Sequence, residues 1–201
     1  MADHGPVWVA ARPYMRARKN DVHIPIAYDY AQRLLEHHRA ADREVVLLAT
    51  LLHDIGWAVV DQEAIYREGF GPDMMQSDVR IAHEREGARL AREILVELGY
   101  PGEVIDRVVE IIDGHDTRQH ALSPEDELVK DADALWRFSV AGIAVACDWF
   151  GLTPGEYADR TEPQIDDRLY TETARTIARA ELEQTRRILR TAELAADAVR
   201  T

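Results

Sequence analysis

A single cysteine, Cys147, leaves no partner for an internal disulfide, and it suits a reducing compartment. Its apolar neighbours Val145 and Ala146 mark it as a buried thiol outside any ligand set. Basic charge is also in deficit. Twenty-four Lys and Arg face 37 Asp and Glu, a formal net charge of -13. That balance argues against nucleic-acid polymers and anionic membranes as partners. It leaves room for a small phosphate ligand, since a local group of Arg and metal overrides a global charge. No uncharged apolar run approaches the ~18 residues that span a bilayer. The start, Met1-Ala2-Asp3-His4-Gly5-Pro6, lacks the basic opening and apolar core of a signal peptide. A cytoplasmic protein is therefore expected. Alternating β-branched runs are scarce, and neither an internal repeat nor a low-complexity tract is present.

What the chain has is helix-forming sequence. Ala, Glu, Arg and Leu dominate, and 46% of the 201 residues are hydrophobic, enough for a sizeable core. An all-α fold is predicted. Residues 1–20 form a mixed arm with a basic patch at Arg16, Arg18 and Lys19. Asn20-Asp21 reads as an N-cap for a helix from about Val22 to Arg39, with Pro25 in its first turn and Ile26, Tyr30, Leu34 and Leu35 near one face. Asp42 caps a second helix from Arg43 to about Asp54, ended by Gly56. A loop with a short helical piece around Glu63–Arg67 breaks at Gly69-Phe70-Gly71-Pro72. Helices follow over about Val79–Leu98 and Pro101–Gly114, separated by the stop Gly99-Tyr100-Pro101. A helical stretch at 125–150, a connector with short turns at 151–163, and a long amphipathic helix from about Tyr170 to Val199 complete the chain. In that last helix Ile177, Leu182, Ile188, Leu189 and Leu194 are the apolar positions, packing on the same domain or on a second subunit. The organisation expected is an arm (1–20), a core (21–150) and a C-terminal extension (151–201) packed on the same domain.

Chemistry concentrates in six residues: His23, the pair His53-Asp54, His83, His115 and Asp133. Imidazole and carboxylate together form the ligand set of zinc, iron, manganese and related divalent ions. Four of the eight histidines belong to this set. The His-Asp pair runs directly out of Ala49-Thr50-Leu51-Leu52, where burying it is costly unless something pairs with it. His53 and Asp54 lie about 100° apart around a helix of 3.6 residues per turn, so both reach one ion only if the helix ends there. Taken alone, His83 reads as a solvated helix residue and His115 as a helix-end histidine favoured by the dipole. His4, His37, His38 and His120 read as loop or surface residues.

The order His, His-Asp, His, His, Asp resembles the HD-domain superfamily of metal-dependent hydrolases. The resemblance is carried by Val22-His23-Ile24, by Leu51-Leu52-His53-Asp54-Ile55-Gly56 and by Val129-Lys130-Asp131-Ala132-Asp133-Ala134-Leu135. It covers about residues 20–150 and implies an HD-domain helical bundle, here with a long C-terminal amphipathic helix. The two extra histidines are similar to those of the binuclear members. That resemblance implies one metal held by His23, His53, Asp54 and Asp133, and a second held by His83 and His115 with Asp54 bridging. The ions would be Fe, Mn, Zn or similar. The activity implied is hydrolysis of a nucleotide or small phosphate ester by a metal-bridging hydroxide. Arg80 and Lys130, each one turn before a ligand, are the leading candidate catalytic cations beside Asp54; Arg137, one turn after Asp133, shares its ligand's helix face, while Arg118 falls in the loop after His115. One position departs from the pattern: many binuclear HD phosphodiesterases carry lysine where this chain has Trp57. The tripeptide Gly99-Tyr100-Pro101 is similar to one found in cyclic-dinucleotide phosphodiesterases, but it falls after His83 and reads as a helix terminator. The alternative implied by the same ligand order is a mixed-valence di-iron oxygenase acting on a small polar substrate, as in myo-inositol oxygenase and the organophosphonate oxygenases. Tyr14 would then be the arm residue able to reach the site. A non-catalytic binding module is disfavoured by the intact ligand set. Homo-oligomerisation is left open.

Overall fold

The computed structural model describes residues 3–68 and 77–199. Eleven α-helices and no strand occur among the described residues: α1 Gly5–Ala11, α2 Asn20–His37, α3 Arg43–Leu52, α4 Gln62–Glu68, α5 Asp78–Glu97, α6 Gly102–Ile112, α7 Pro124–Leu135, α8 Val140–Trp149, α9 Pro154–Thr161, α10 Gln164–Arg168 and α11 Glu172–Val199. The predicted break at Gly69-Phe70-Gly71-Pro72 lies outside them. The chain forms two compact units, 1–133 and 134–201.

In the first unit α3 is the central helix. Every residue from Val45 to Leu52 is buried, so the helix is apolar all round and must be enclosed. Packing against α2 and α6, with α1 and α5 beside them, encloses it. Asp42 starts α3 as expected, accepting the N–H groups of Glu44 and Val45 at 3.1 and 3.4 Å. Its other oxygen accepts from Arg107 on α6 at 2.6 Å, which ties the start of α3 to a second element. The last α-helical residue is Leu52. His53 is the C-cap, and Asp54 turns out of the helix at φ −103, ψ 2 into a 3-10 turn, Ile55–Ala58. The end of the central helix therefore presents the His-Asp pair at a change of direction.

Several expectations are revised. Asn20 is not a cap: α2 begins at it from Lys19, and its side chain donates to the Asp54 carbonyl at 2.9 Å. Pro25 consequently sits inside α2 and supplies no N–H to the preceding turn. The arm contains α1 and two 3-10 turns, Arg12–Tyr14 and Ala17–Lys19, where "mixed" sequence concealed short helices. His4 precedes α1, outside any helix as expected, but it is buried. Its Nδ1 pairs with the Tyr28 hydroxyl at 2.7 Å and its Nε2 lies 3.3 Å from Glu44.

The stretch expected to be helical, 125–150, is divided between α7 and α8. A 3-10 turn, Trp136–Phe138, leads to Ser139 in extended conformation. Ser139 Oγ accepts from Gly142 N–H and donates to the Trp136 carbonyl, restarting helix as α8. Within the supposed connector, Thr153 and Glu156 form a reciprocal capping box that starts α9. Helix α11 buries Ala174, Ala178, Leu182 and Thr185 against α8, α9 and the 3-10 turn. Of the expected apolar positions Leu182 is buried, Ile177 and Leu189 are half-buried, Ile188 is exposed, and Leu194 lies outside the described side chains; Ala174, Ala178 and Thr185 complete the buried line.

Candidate metal centre

The six predicted residues converge within the first unit. His23 comes from the first turns of α2, His53 and Asp54 from the end of α3, His83 from α5, His115 from the turn after α6, and Asp133 from α7. His23, His53, His83 and His115 are all at least 96% withdrawn from solvent. Two glycines make the convergence possible. A Cβ on Gly56 would stand 2.0 Å from the His83 carbonyl and 2.5 Å from Gly87 N. One on Gly87 would stand 3.1 Å from the His53 carbonyl. The turn after His53-Asp54 thus lies backbone to backbone on α5, on the face that carries His83 four residues before Gly87.

Asp54 is the hub, and its two oxygens face different partners. Oδ2 lies 3.5 Å from His23 Nε2 and 3.8 Å from His53 Nε2. Oδ1 lies 3.5 Å from His83 Nε2 and 3.4 Å from His115 Nε2. Asp133 Oδ1 joins the first pair, 3.2 Å from His23 Nε2 and 3.6 Å from His53 Nε2. Tautomers follow from the backbone. His53 Nδ1 lies 2.7 Å from the Thr50 carbonyl, and His115 Nδ1 lies 2.9 Å from that of Ile112. A carbonyl only accepts, so each Nδ1 carries hydrogen and each neutral ring turns its Nε2 lone pair inward. The Nε2 atoms of His23 and His53 stand 2.9 Å apart, and both ring nitrogens of fully buried His83 lack a hydrogen bond. With their protons displaced, the Nε2 atoms of His53 and His115 point lone pairs at the same carboxylate, a donor set that suits a cation. The residues fit a divalent metal.

Charge in the cluster follows from its contacts. Burial pushes His23 and His83 below the usual imidazole range. Burial also pulls down His53 and His115, but the carboxylates outweigh it. Asp54 and Asp133 hold His53 up, while Asp54, Asp116 and Glu84 hold His115 up at about 9. Burial raises Asp54, yet the surrounding imidazoles keep it well below the ordinary carboxylate range. A metal entering such a site displaces protons from imidazole, so binding and proton release are coupled.

The candidate cations are placed less simply. Arg80 is buried and its Nη1 donates to Asp116 Oδ2, at the edge of the His83 and His115 side. Lys130 requires a correction. Its ammonium donates to the carbonyls of Gly114, His115 and Arg118 at 3.0, 2.7 and 3.0 Å, which occupies its three hydrogens. No N–H remains for a phosphate, so Lys130 anchors the turn that carries His115. Arg118 is engaged with the Asp113 carbonyl and Asp126. Arg137 belongs to the second unit. The turn containing Tyr14 packs on the 3-10 turn after Asp54.

Several supporting residues escaped the sequence reading. Trp57 stacks on His83 at 3.8 Å between ring centroids, with planes 13° apart, and its indole N–H donates to Asp54 Oδ1 at 3.0 Å. The Arg18 guanidinium lies over the Trp57 ring, 4.1 Å from the centroid. Glu84, buried beside His83, accepts the N–H groups of Asp116 and Thr117 at 2.7 and 2.8 Å and the Thr117 hydroxyl at 2.6 Å. The only sequence cue for Glu84 was its place next to a ligand. For Asn20 it was a false resemblance to a cap.

The HD domain family model matches residues 23–137, from the first of the six residues to just past the last. No curated protein and no solved structure matches the chain. The family match spans more than half the sequence, and its limits coincide with the buried His and Asp cluster, whose inward lone pairs suit a divalent metal. The chain belongs to the HD-domain family.

Proposed function

We propose that this protein is a metal-dependent phosphohydrolase that cleaves a nucleotide or another small phosphate ester with two divalent ions. The observation that carries the reading is the division of Asp54. One oxygen faces His23 and His53, the other faces His83 and His115, and only a carboxylate serves two ions in this way. His23, His53, Asp54 and Asp133 would hold the first ion; Asp54, His83 and His115 the second. Paired divalent ions lower the pKa of bound water and draw charge from a phosphoryl oxygen. The chain's own part is to hold that arrangement rigid. Thr50 and Ile112 carbonyls fix the two ring orientations, and the Trp57 N–H steadies Asp54. Arg80 brings positive charge beside the second ion, tethered by Asp116. An oriented donor in a site poor in water is worth about 100-fold or more in turnover.

A mixed-valence di-iron oxygenase is the second reading, and one observation favours it. The lysine found in many binuclear phosphodiesterases is replaced by Trp57, and Lys130 is wholly occupied by backbone carbonyls. Fewer cations then remain for a phosphate. Anaerobic purification with metal analysis, followed by parallel assays of phosphate release and oxygen uptake, separates the two. Metal-dependent phosphate release that persists without oxygen is expected. Oxygen consumption by the iron-loaded, partly reduced protein, with no hydrolysis of nucleotides or simple esters in any metal state, would replace hydrolysis with oxygenation.

A further inference from the structure

Taken alone, the six residues divide unequally. The first ion would have two imidazoles and a carboxylate of its own, Asp133. The second would have two imidazoles and only a share of Asp54. The structure brings another carboxylate to that side. His83, His115 and Asp116 offer ligand atoms that all lie within 4.8 Å of one another, as do those of His23, His53 and Asp133. Asp116 is held in place from two directions: Glu84 accepts its backbone N–H at 2.7 Å, and Arg80 donates to its Oδ2. Its side chain is 13% exposed, so an ionised carboxylate there needs compensation. Independently, His83 on the same side is fully buried with neither ring nitrogen hydrogen-bonded.

We propose that Asp116 is a ligand of the second metal, giving that ion its own carboxylate as Asp133 does the first. The inference rests on the two-metal reading above. His115-Asp116 then repeats His53-Asp54: a His-Asp pair just past a helix end, with the imidazole oriented by a carbonyl three residues back. Arg80 is a positioning residue in this arrangement. It holds one carboxylate oxygen and leaves the other for the metal. Two oxygen donors on the second side favour Mn or Fe over softer ions.

The alternative is that Asp116 serves only to hold Arg80. Anaerobic Mn(II) titration, with metal content measured on the isolated protein, separates the two. Wild type should bind two ions. Asp116→Asn should weaken the second by at least about tenfold and spare the first. Arg80→Gln, which removes only the positioning contact, should weaken the second ion less than Asp116→Asn does. Two ions bound by Asp116→Asn with wild-type affinity overturns the inference and leaves the two-metal reading standing. Equal weakening by Asp116→Asn and Arg80→Gln also overturns it. One ion in wild type overturns the inference and that reading together. Should Asp116→Asn not fold, Asp116→Cys loaded with Co(II) is decisive. A thiolate-to-cobalt charge-transfer band, absent from wild type with its lone Cys147, is expected; no such band counts against ligation.

Discussion

The two sides of the metal centre are built by different means. His23, His53 and Asp133 project from α2, the end of α3 and α7, so helices position all three. On the other side only His83 is helical. His115 and Asp116 lie in a turn that opens at Gly114, where φ is +108 and glycine is strongly favoured. That turn is held by side chains. Lys130 takes three of its carbonyls, and Glu84 takes two of its N–H groups and a hydroxyl. Glu84 adjoins His83 and Lys130 lies three residues before Asp133, so each clamp is carried by a ligand-bearing helix. The first side draws its rigidity from packed helices, the second from buried charges spent on backbone.

The largest effect should come from the residue both sides share. Asp54→Ala removes the carboxylate facing all four imidazoles, and metal analysis should find neither ion. Retention of one ion at wild-type occupancy would show that the sides are independent. Next is the contact that joins them. Gly56→Ala places a methyl 2.0 Å from the His83 carbonyl, with backbone on the opposing element, so it should cost about 1–3 kcal/mol or more in thermal unfolding. Gly87→Ala, whose nearest contact is 3.1 Å, should cost less. A wild-type melting temperature for Gly56→Ala would refute the close approach.

Smaller and selective effects test the asymmetry itself. Lys130→Met releases the His115 turn, whose carbonyls take all three ammonium hydrogens. Affinity for the second ion should fall roughly 10- to 100-fold, the usual cost of losing an outer-shell partner, with the first ion retained. Glu84→Gln should act in the same direction. Equal loss of both ions in calorimetric titrations would show that Lys130 supports the whole cluster. The mildest change is Trp57→Phe, which keeps a ring against His83 and deletes the N–H to Asp54. It should weaken binding by about tenfold at most. Its oxygen on Asp54 faces His83 and His115, so the second ion should suffer more.

The contrast also explains what could be read in advance. Ligands on helices obey a 3.6-residue period and cap rules, and their neighbours in sequence are their neighbours in space. His53-Asp54 at the end of an apolar helix and Asp42 at its start were legible for that reason. The clamps were not, because their partners lie 12–16 residues away for Lys130 and 32–33 for Glu84. Sequence proximity to Asp133 suggested a phosphate-binding role for Lys130. A buried ammonium must find acceptors, and three carbonyls were nearer than any ligand. The short helices at Gly5–Ala11 and Pro154–Thr161 were missed for another reason: a first-turn proline opens one and a capping box the other, and both are too brief to show a period.

By itself the sequence determined the all-α class and, through its resemblance to HD-domain proteins, the six residues that converge in the buried His and Asp cluster. The first rests on local rules of helix formation that do not depend on where the chain travels next; the second rests on the order of the motifs along the chain. Tertiary structure alone decided which oxygen of Asp54 meets which imidazoles, that Gly56 lies on α5, and that Lys130 and Glu84 serve the backbone around His115. Those outcomes depend on distances between remote segments to within a few tenths of an ångström, and only close packing of the helices sets them.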